Sequence, residues 1–257
     1  MGSVKSSTKR WLSLVPLGWL IVFMAGIAQG GPGIAVSDSV WDFGEITAAL
    51  PVGHAFKLKN IGEAPLLILR VETSCGCAVA ILADSAIQPG REAPLRVTLN
   101  AANLAPGTLS EKNVTLTCND PREPVKTLTL RARLSYQGVS GIAIEPRWIQ
   151  KEKGERVRRT WERLVVTNQN MGPFEVKVLE AYGAVKEARV TRHRVPQSGR
   201  TVVRVLVDRM KLKLQPQEVS SVTLAFRGDG WEERVTLPVE AAGDSVPPQT
   251  GSGEGKK

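Results

Sequence analysis

Beyond its first thirty residues the chain is built from short runs in which apolar and polar side chains alternate, the period of a strand with one face on a core. "HAFKLKN", "PLLILRVET", "APLRVTLN", "KNVTLTCND" and "VKTLTLRARL" place apolar residues two apart, and Gly, Pro, Asn or Asp bounds each run. Almost no long helical periodicity interrupts them, so the pattern predicts an all-β protein. Alternation nominates Phe56, Leu58, Leu67 and Leu69 for the core, with the register of each run open by one residue.

The pattern also repeats. "GIAVSDSVWDFGEI" from Gly33 recurs as "GIAIEPRWIQKEKGE" from Gly141, an offset of 108 residues. At that offset "FKLKN" lies on "LVVTN" and "ILRVE" on "VKVLE". Further on, "IQPGREAPLRVTLN" resembles "VPQSGRTVVRVLVD", and "TLTLRARL" resembles "RVTLPVEA". Each unit has the size of an immunoglobulin-like domain, about 100 residues and seven short strands. The expected fold is therefore two tandem immunoglobulin-like β-sandwich domains, residues 33–136 and a degenerate second at 141–242. Residues 243–257, rich in Pro, Gly and Ser, read as a disordered tail.

The amino terminus has a different character. Lys5, Lys9 and Arg10 precede an apolar run from Trp11 to Ala28, and Gly26 and Ala28 suit a cut before Gln29. Residues 1–28 are expected to be a signal peptide, with an uncleaved signal anchor as the alternative and the only expected tie to a membrane. This implies an exported protein of the periplasm or cell envelope. The formal charge of +9 has much of its excess late in the chain, in "ARVTRHRVPQSGRTVVRV" and "DRMKLKL". For an exported chain that favours an anionic envelope polymer over nucleic acid as a partner. Lys211 and Lys213 read as the solvent side of a guarded edge strand.

Export gives the three cysteines their interest, because thiols outside the cytoplasm are usually oxidised. Cys75 and Cys77 flank Gly76, and Cys118 stands apart. Residues i and i+2 of a straight strand lie about 6.5–7 Å apart at Cα, the upper limit for a disulfide, so a Cys75–Cys77 bond needs a bend at Gly76. A bridge from Cys118 to Cys75 or Cys77 would close a loop of about 40 residues and is the favoured expectation. Reduced, buried thiols are a second option. A thiol-redox role for Cys75 and Cys77, or a soft-metal site built from Cys75, Cys77 and Cys118, is the third. The second unit has Tyr182, Gly183, Ala184 and Val185 where the first has Ser74 to Cys77, so the fold can form without the pair. His54 and His193 are the only histidines; His54 reads as a surface or turn residue at a strand start and His193 as a bland neighbour of arginines. "DFG" at residues 42–44 lacks the other motifs of a kinase and reads as packing at a strand start, while Asn113-Val-Thr sits in a predicted strand. With no catalytic set and no cofactor motif in sight, the expectation is a protein that is not an enzyme.

Five motifs in order carry a resemblance: "WDFGEI" from Trp41, "HAFKLKNIGEAPLLI" from His54, "SCGCA" from Ser74, "IQPG" from Ile87 and "CNDP" from Cys118. In these the first unit resembles the bacterial domain-of-unknown-function family number 1573, whose members are exported immunoglobulin-like domains. It is also similar to the broader group of sandwich domains that includes pilus chaperones and sperm-protein-like domains, which mostly bind proteins. The resemblance implies a fold and no established activity, and Cys118 stands outside the family's usual pattern. Together these readings predict an exported, non-enzymatic binding or scaffolding module whose partner is an unidentified protein or an anionic envelope polymer. Partners would dock on loops or add a strand to an open edge. The alternative is a thiol-redox or copper-handling protein using Cys75 and Cys77.

Overall fold

The structure is a computed structural model that describes residues 30–150, 158–214 and 219–240; the expected signal segment 1–28 and tail 243–257 lie outside them. Along the first unit run β1 (Ile34–Val36), β2 (Val40–Ile46), β3 (Pro51–Asn60), β4 (Leu66–Thr73), β5 (Ala78–Leu82), β6 (Ala86–Ile87), β7 (Glu92–Asn100), β8 (Leu109–Cys118) and β9 (Val125–Leu134). The second unit continues with β10 (Ile142–Glu145), β11 (Arg159–Asn168), β12 (Phe174–Tyr182), β13 (Val185–Val190), β14 (Arg194–Val195) and β15 (Arg200–Asp208). A short helix α1 (Arg209–Leu214) and the hairpin of β16 (Ser220–Gly228) and β17 (Trp231–Val239) close it. The protein is all-β apart from short helical turns, as alternation predicts.

Each unit is a sandwich. In the first, the sheet β1-β3-β7-β5 faces strands β2, β9, β8, β4 and β6; in the second, β10-β11-β15-β13 faces β14, β12, β16 and β17. Between the layers of the first lie Phe43, Phe56, Leu58, Leu95, Leu116 and Leu128, and between those of the second Phe174, Phe226, Leu164 and Val205, all fully buried. Burying each such side chain contributes about 1.5–3 kcal/mol against exposure.

Polar detail recurs along with the strands. Asn60 Nδ2 donates to the carbonyls of Ala64 and Ile87, both at 2.8 Å. Exactly equivalent positions 108 residues later repeat this: Asn168 donates to Gly172 at 2.9 Å and to Val195 at 3.2 Å. Each Oδ1 accepts the backbone N–H two residues on, from Gly62 and Asn170. Both side chains are buried and so satisfy backbone groups that water cannot reach.

Two expectations need correction. In β4 the core takes Leu66 and Ile68, while Leu67 and Leu69 are 41% and 65% exposed. Four consecutive apolar residues carry no period of two, and the ladder with β8 selects the register instead. Lys211 lies in helix α1 and not on an edge strand; its Nζ donates to the Gly183 carbonyl at 3.1 Å. The pairing of β15 stops at Asp208, whose carboxylate accepts the Lys211 backbone N–H at 3.1 Å and caps the turn that follows.

The two sandwiches share a sheet. Strand β2 lies parallel to β9 of its own unit and parallel to β17 of the other, with Glu45 and Ile46 opposite Val235 and Thr236. Gly44 makes this approach possible. Its φ is +65°, and a Cβ there would sit 2.0 Å from the Arg234 carbonyl oxygen. The motif read as packing at a strand start is therefore also the joint: Phe43 fills the core and Gly44 bends β2 against β17, while the Phe43 carbonyl accepts Thr236 Oγ1 at 2.7 Å.

Candidate functional site: the Cys-Gly-Cys turn and the strand edge beyond it

Strand β4 ends at Thr73, opposite Val114 of β8, and the next four residues carry the chain to the other layer. Ser74 is anchored to β8 by two bonds of 2.9 Å: its N–H donates to the Asn113 carbonyl, and its Oγ accepts the Asn113 N–H. At the far end the Cys77 carbonyl accepts the Asn100 N–H at 2.8 Å, and Ala78 enters the ladder with β7. Between these anchors Cys75 and Cys77 form a disulfide with Cα atoms 5.2 Å apart, shorter than the about 6.5–7 Å of a straight strand. Cys77 is buried in the first core and Cys75 is half-buried against it.

Cys118 is not bridged, which overturns the favoured expectation. It lies opposite Ile68, seven residues from Cys75 along β4, so the strand separates them by roughly 20 Å. Its buried Sγ lies 3.3 Å from the Glu123 carbonyl, and burial pushes the thiol's pKa up, with Asp120 and Glu123 adding charge repulsion against a weaker opposing hydrogen bond. The same separation removes Cys118 from any metal set with Cys75 and Cys77. Among the described residues no group of three or more His, Cys, Asp or Glu is placed to hold a metal ion.

The second unit builds its corresponding turn differently. Val185 takes the buried place of Cys77, and Gly183, at φ +72°, takes that of Cys75. A Cβ on Gly183 would lie 2.2 Å from the Val219 carbonyl oxygen, so the turn closes on β16 where no cysteine fits.

The turn delivers the chain into β5, the last strand of its sheet, which pairs with β7 alone among the described strands. Val79 and Ile81 point outward from it and are 54% and 62% exposed. Strand β13 holds the same place in the second unit and carries Glu187 and Arg189 at these positions, with Lys186 beside them. One edge is guarded by charge and the other is apolar. Alternation within "AVAIL" marks β5 as a strand, but only comparison with "VKEAR" 108 residues on could single out Val79 and Ile81.

His54 belongs elsewhere and is not a surface residue. It is buried in β3, stacked on Trp41 with ring centroids 3.8 Å apart, edge-on to Phe56 at 4.6 Å, and bonded through Nδ1 to Glu180 of β12 at 2.8 Å. Beside it a Cβ on Gly53 would meet the Tyr182 ring at 2.1 Å, and the Gly53 N–H donates to Ser221 Oγ at 3.3 Å. These contacts make His54 part of the joint between the units. A lone histidine at a strand start carries no sequence signal of a partner 126 residues away. His193 Nδ1 lies 3.0 Å from the Val176 carbonyl.

Residues 34–134, the unit with the cysteine turn, match the model of the family described as "Protein of unknown function (DUF1573)". The first unit is a DUF1573 domain. Solved structures similar to the whole chain include a protein of unknown function from Porphyromonas gingivalis, at 17% identity and TM-score 0.32, covering 80% of this chain and 99% of that one. The E. coli chaperone DraB follows at 12% identity and TM-score 0.32, with coverage of 81% and 98%. The Pseudomonas aeruginosa CupB2 chaperone has 14% identity and TM-score 0.32, with coverage of 79% and 99%. A search of curated proteins finds no match. The family match stops before β10, so the DUF1573 domain holds the disulfide and the apolar edge, and the second sandwich lies outside the match.

Proposed function

We propose that the protein is an exported, non-enzymatic binding module of the cell envelope whose DUF1573 domain captures an extended segment of a partner protein by adding it to β5. One observation carries the reading: β5 is an unguarded edge with Val79 and Ile81 exposed, whereas β13 at the same place in the second unit is charged. Strand addition would satisfy the open backbone groups of β5, and Val79 and Ile81 would select alternate apolar side chains of the incoming segment. The Cys75–Cys77 bond fixes the start of β5 by tying the turn to the core through Cys77. The shared sheet and the His54–Glu180 bond hold the second unit as a rigid support.

A photo-crosslinker at position 81 of the exported protein tests the reading. The expected product is an adduct with a second polypeptide, lost in the variant V79E/I81R, which copies the charges of β13 and keeps the fold. No adduct, or one unchanged in the charged variant, would count against strand capture.

A second reading, thiol exchange, is favoured by the half-exposure of Cys75. It requires the bond to pass to a dithiol partner protein through a mixed disulfide. Incubation with a reduced dithiol protein and acid trapping should then yield that mixed disulfide at Cys75, and its absence removes the reading.

A further inference from the structure

The second unit has its own unusual surface, on the outer face of the sheet β10-β11-β15-β13. Register places Arg163 of β11 directly opposite Arg204 of β15, and Arg204 directly opposite Arg189 of β13. Three arginines on adjacent strands thus stand in one row on one face, all exposed. Adjacent strands are about 4.7–4.9 Å apart, so the row is a line of positive charge at that spacing. Like charges directly opposite each other destabilise a sheet. Arg189 has Glu187 as an ion-pair partner, but Arg163 and Arg204 have no carboxylate partner among the described residues. Trp161 lies in the next row, opposite Leu206, with the Arg204 guanidinium 4.9 Å and the Arg189 guanidinium 5.9 Å from its ring centroid. The ring holds two of the cations in place over its face.

Charge is distributed to match. Residues 141–240 contain 19 Lys and Arg against 13 Asp and Glu, a net +6, whereas residues 33–136 contain ten of each. Repulsion within the row is relieved by an oxyanion-bearing ligand, and guanidinium groups clamp carboxylate or phosphate oxygens in pairs.

We propose that this face binds a linear acidic glycan, laid across the strands so that its anionic groups meet Arg163, Arg204 and Arg189 in turn while a sugar ring packs beside Trp161. A membrane surface fits less well. Trp161 is the only large apolar side chain of β10, β11, β13 and β15 that is strongly exposed, and adsorption to lipid draws on a buried apolar area that this face lacks. The site lies in the unit outside the family match and is independent of the β5 edge.

The test uses the full chain with polygalacturonate, with neutral dextran as control and with vesicles of phosphatidylglycerol and phosphatidylcholine as a separate arm. Binding to polygalacturonate, weakening as salt rises, is expected, with none to dextran. The variant R163Q/R189Q/R204Q should lose at least tenfold in affinity and melt no lower than the parent, because it removes repulsion. W161A should lose severalfold, and the first-unit variant R91Q/R96Q/R122Q should bind like the parent. Absence of polygalacturonate binding, binding to vesicles alone, or equal binding by the triple arginine variant would each overturn the proposal.

Discussion

The imidazole of His54 in the first unit donates from Nδ1 to the Glu180 carboxylate in the second at 2.8 Å while lying flat on Trp41. This is a side-chain link between domains whose cores are separate. Glu180 Oε1 also accepts the Ala55 N–H at 3.4 Å, so one carboxylate ties two successive residues of β3. Replacing His54 by Ala removes a hydrogen bond to a charged group and an aromatic stack, a loss of about 2–3 kcal/mol. Glu180→Ala should cost about 1.5–3 kcal/mol, and the double variant less than the sum, by about 1 kcal/mol or more. Urea denaturation of the four proteins at neutral pH measures this; strict additivity would mean that the two residues do not act together.

Gly44 predicts a different failure. An L-residue in its left-handed conformation costs about 1–2 kcal/mol, and a Cβ would collide with the Arg234 carbonyl oxygen. Gly44→Ala therefore forces β2 away from β17 while the first core keeps Phe43. Calorimetry should show one transition of the parent splitting into two as the units lose their shared sheet. A variant that keeps a single transition at the parental temperature would show that β2 does not need this approach.

The cysteines should label in an order set by the fold. Iodoacetamide added to the native, non-reduced protein should modify none of the three, because Cys75 and Cys77 are bonded and Cys118 is buried with its thiol pKa raised. Denaturant alone should expose one thiol, Cys118, and denaturant with reductant all three. Peptide mass spectrometry reads the outcome. Native labelling of Cys75 or Cys77 would mean that the bond is open in the exported protein.

Residues whose role is set by local period were legible in the chain, and those whose role is set by distant pairing were not. Phe56 and Leu58 alternate with Lys57 and Lys59, and alternation put them in the core correctly. In β4 the run of apolar residues offered two registers, and only the ladder with β8 decides for Leu66 and Ile68. The repeat exposed the equivalence of Asn60 and Asn168, since both lie at the same place in matching strings. Nothing local could reveal that Cys118 ends up opposite Ile68, far from Cys75, or that His54 meets Glu180, because both facts depend on how strands pair across long stretches of chain. The parallel insertion of β2 between the two units was hidden for the same reason: a parallel contact leaves no hairpin signal in the sequence.

Asp120 gives a pH dependence whose sign follows from its bonds. It lies in the loop after Cys118, buried, with Oδ2 accepting the Ile34 N–H at 2.8 Å and Oδ1 the Arg122 N–H at 2.9 Å. The bond from Ile34 is the main cause that holds its pKa below the usual carboxylate range, against a smaller opposing push from burial. A carboxylate with a lowered folded pKa adds stability that is present above its unfolded value, about 3.9, and is lost as pH falls through the folded value. Asp120→Asn should therefore be less stable than the parent at neutral pH, by about 1–2 kcal/mol, since a neutral amide oxygen accepts these bonds more weakly. Below about pH 3.9 the gap should shrink as the parent's own carboxylate is protonated. The affected contact is the one that holds β1 to the loop after β8, so amide exchange at Ile34 should quicken in the variant at pH 7. Parallel stability curves from pH 7 to pH 2 that keep a constant separation would show that ionised Asp120 contributes nothing of its own to the clamp.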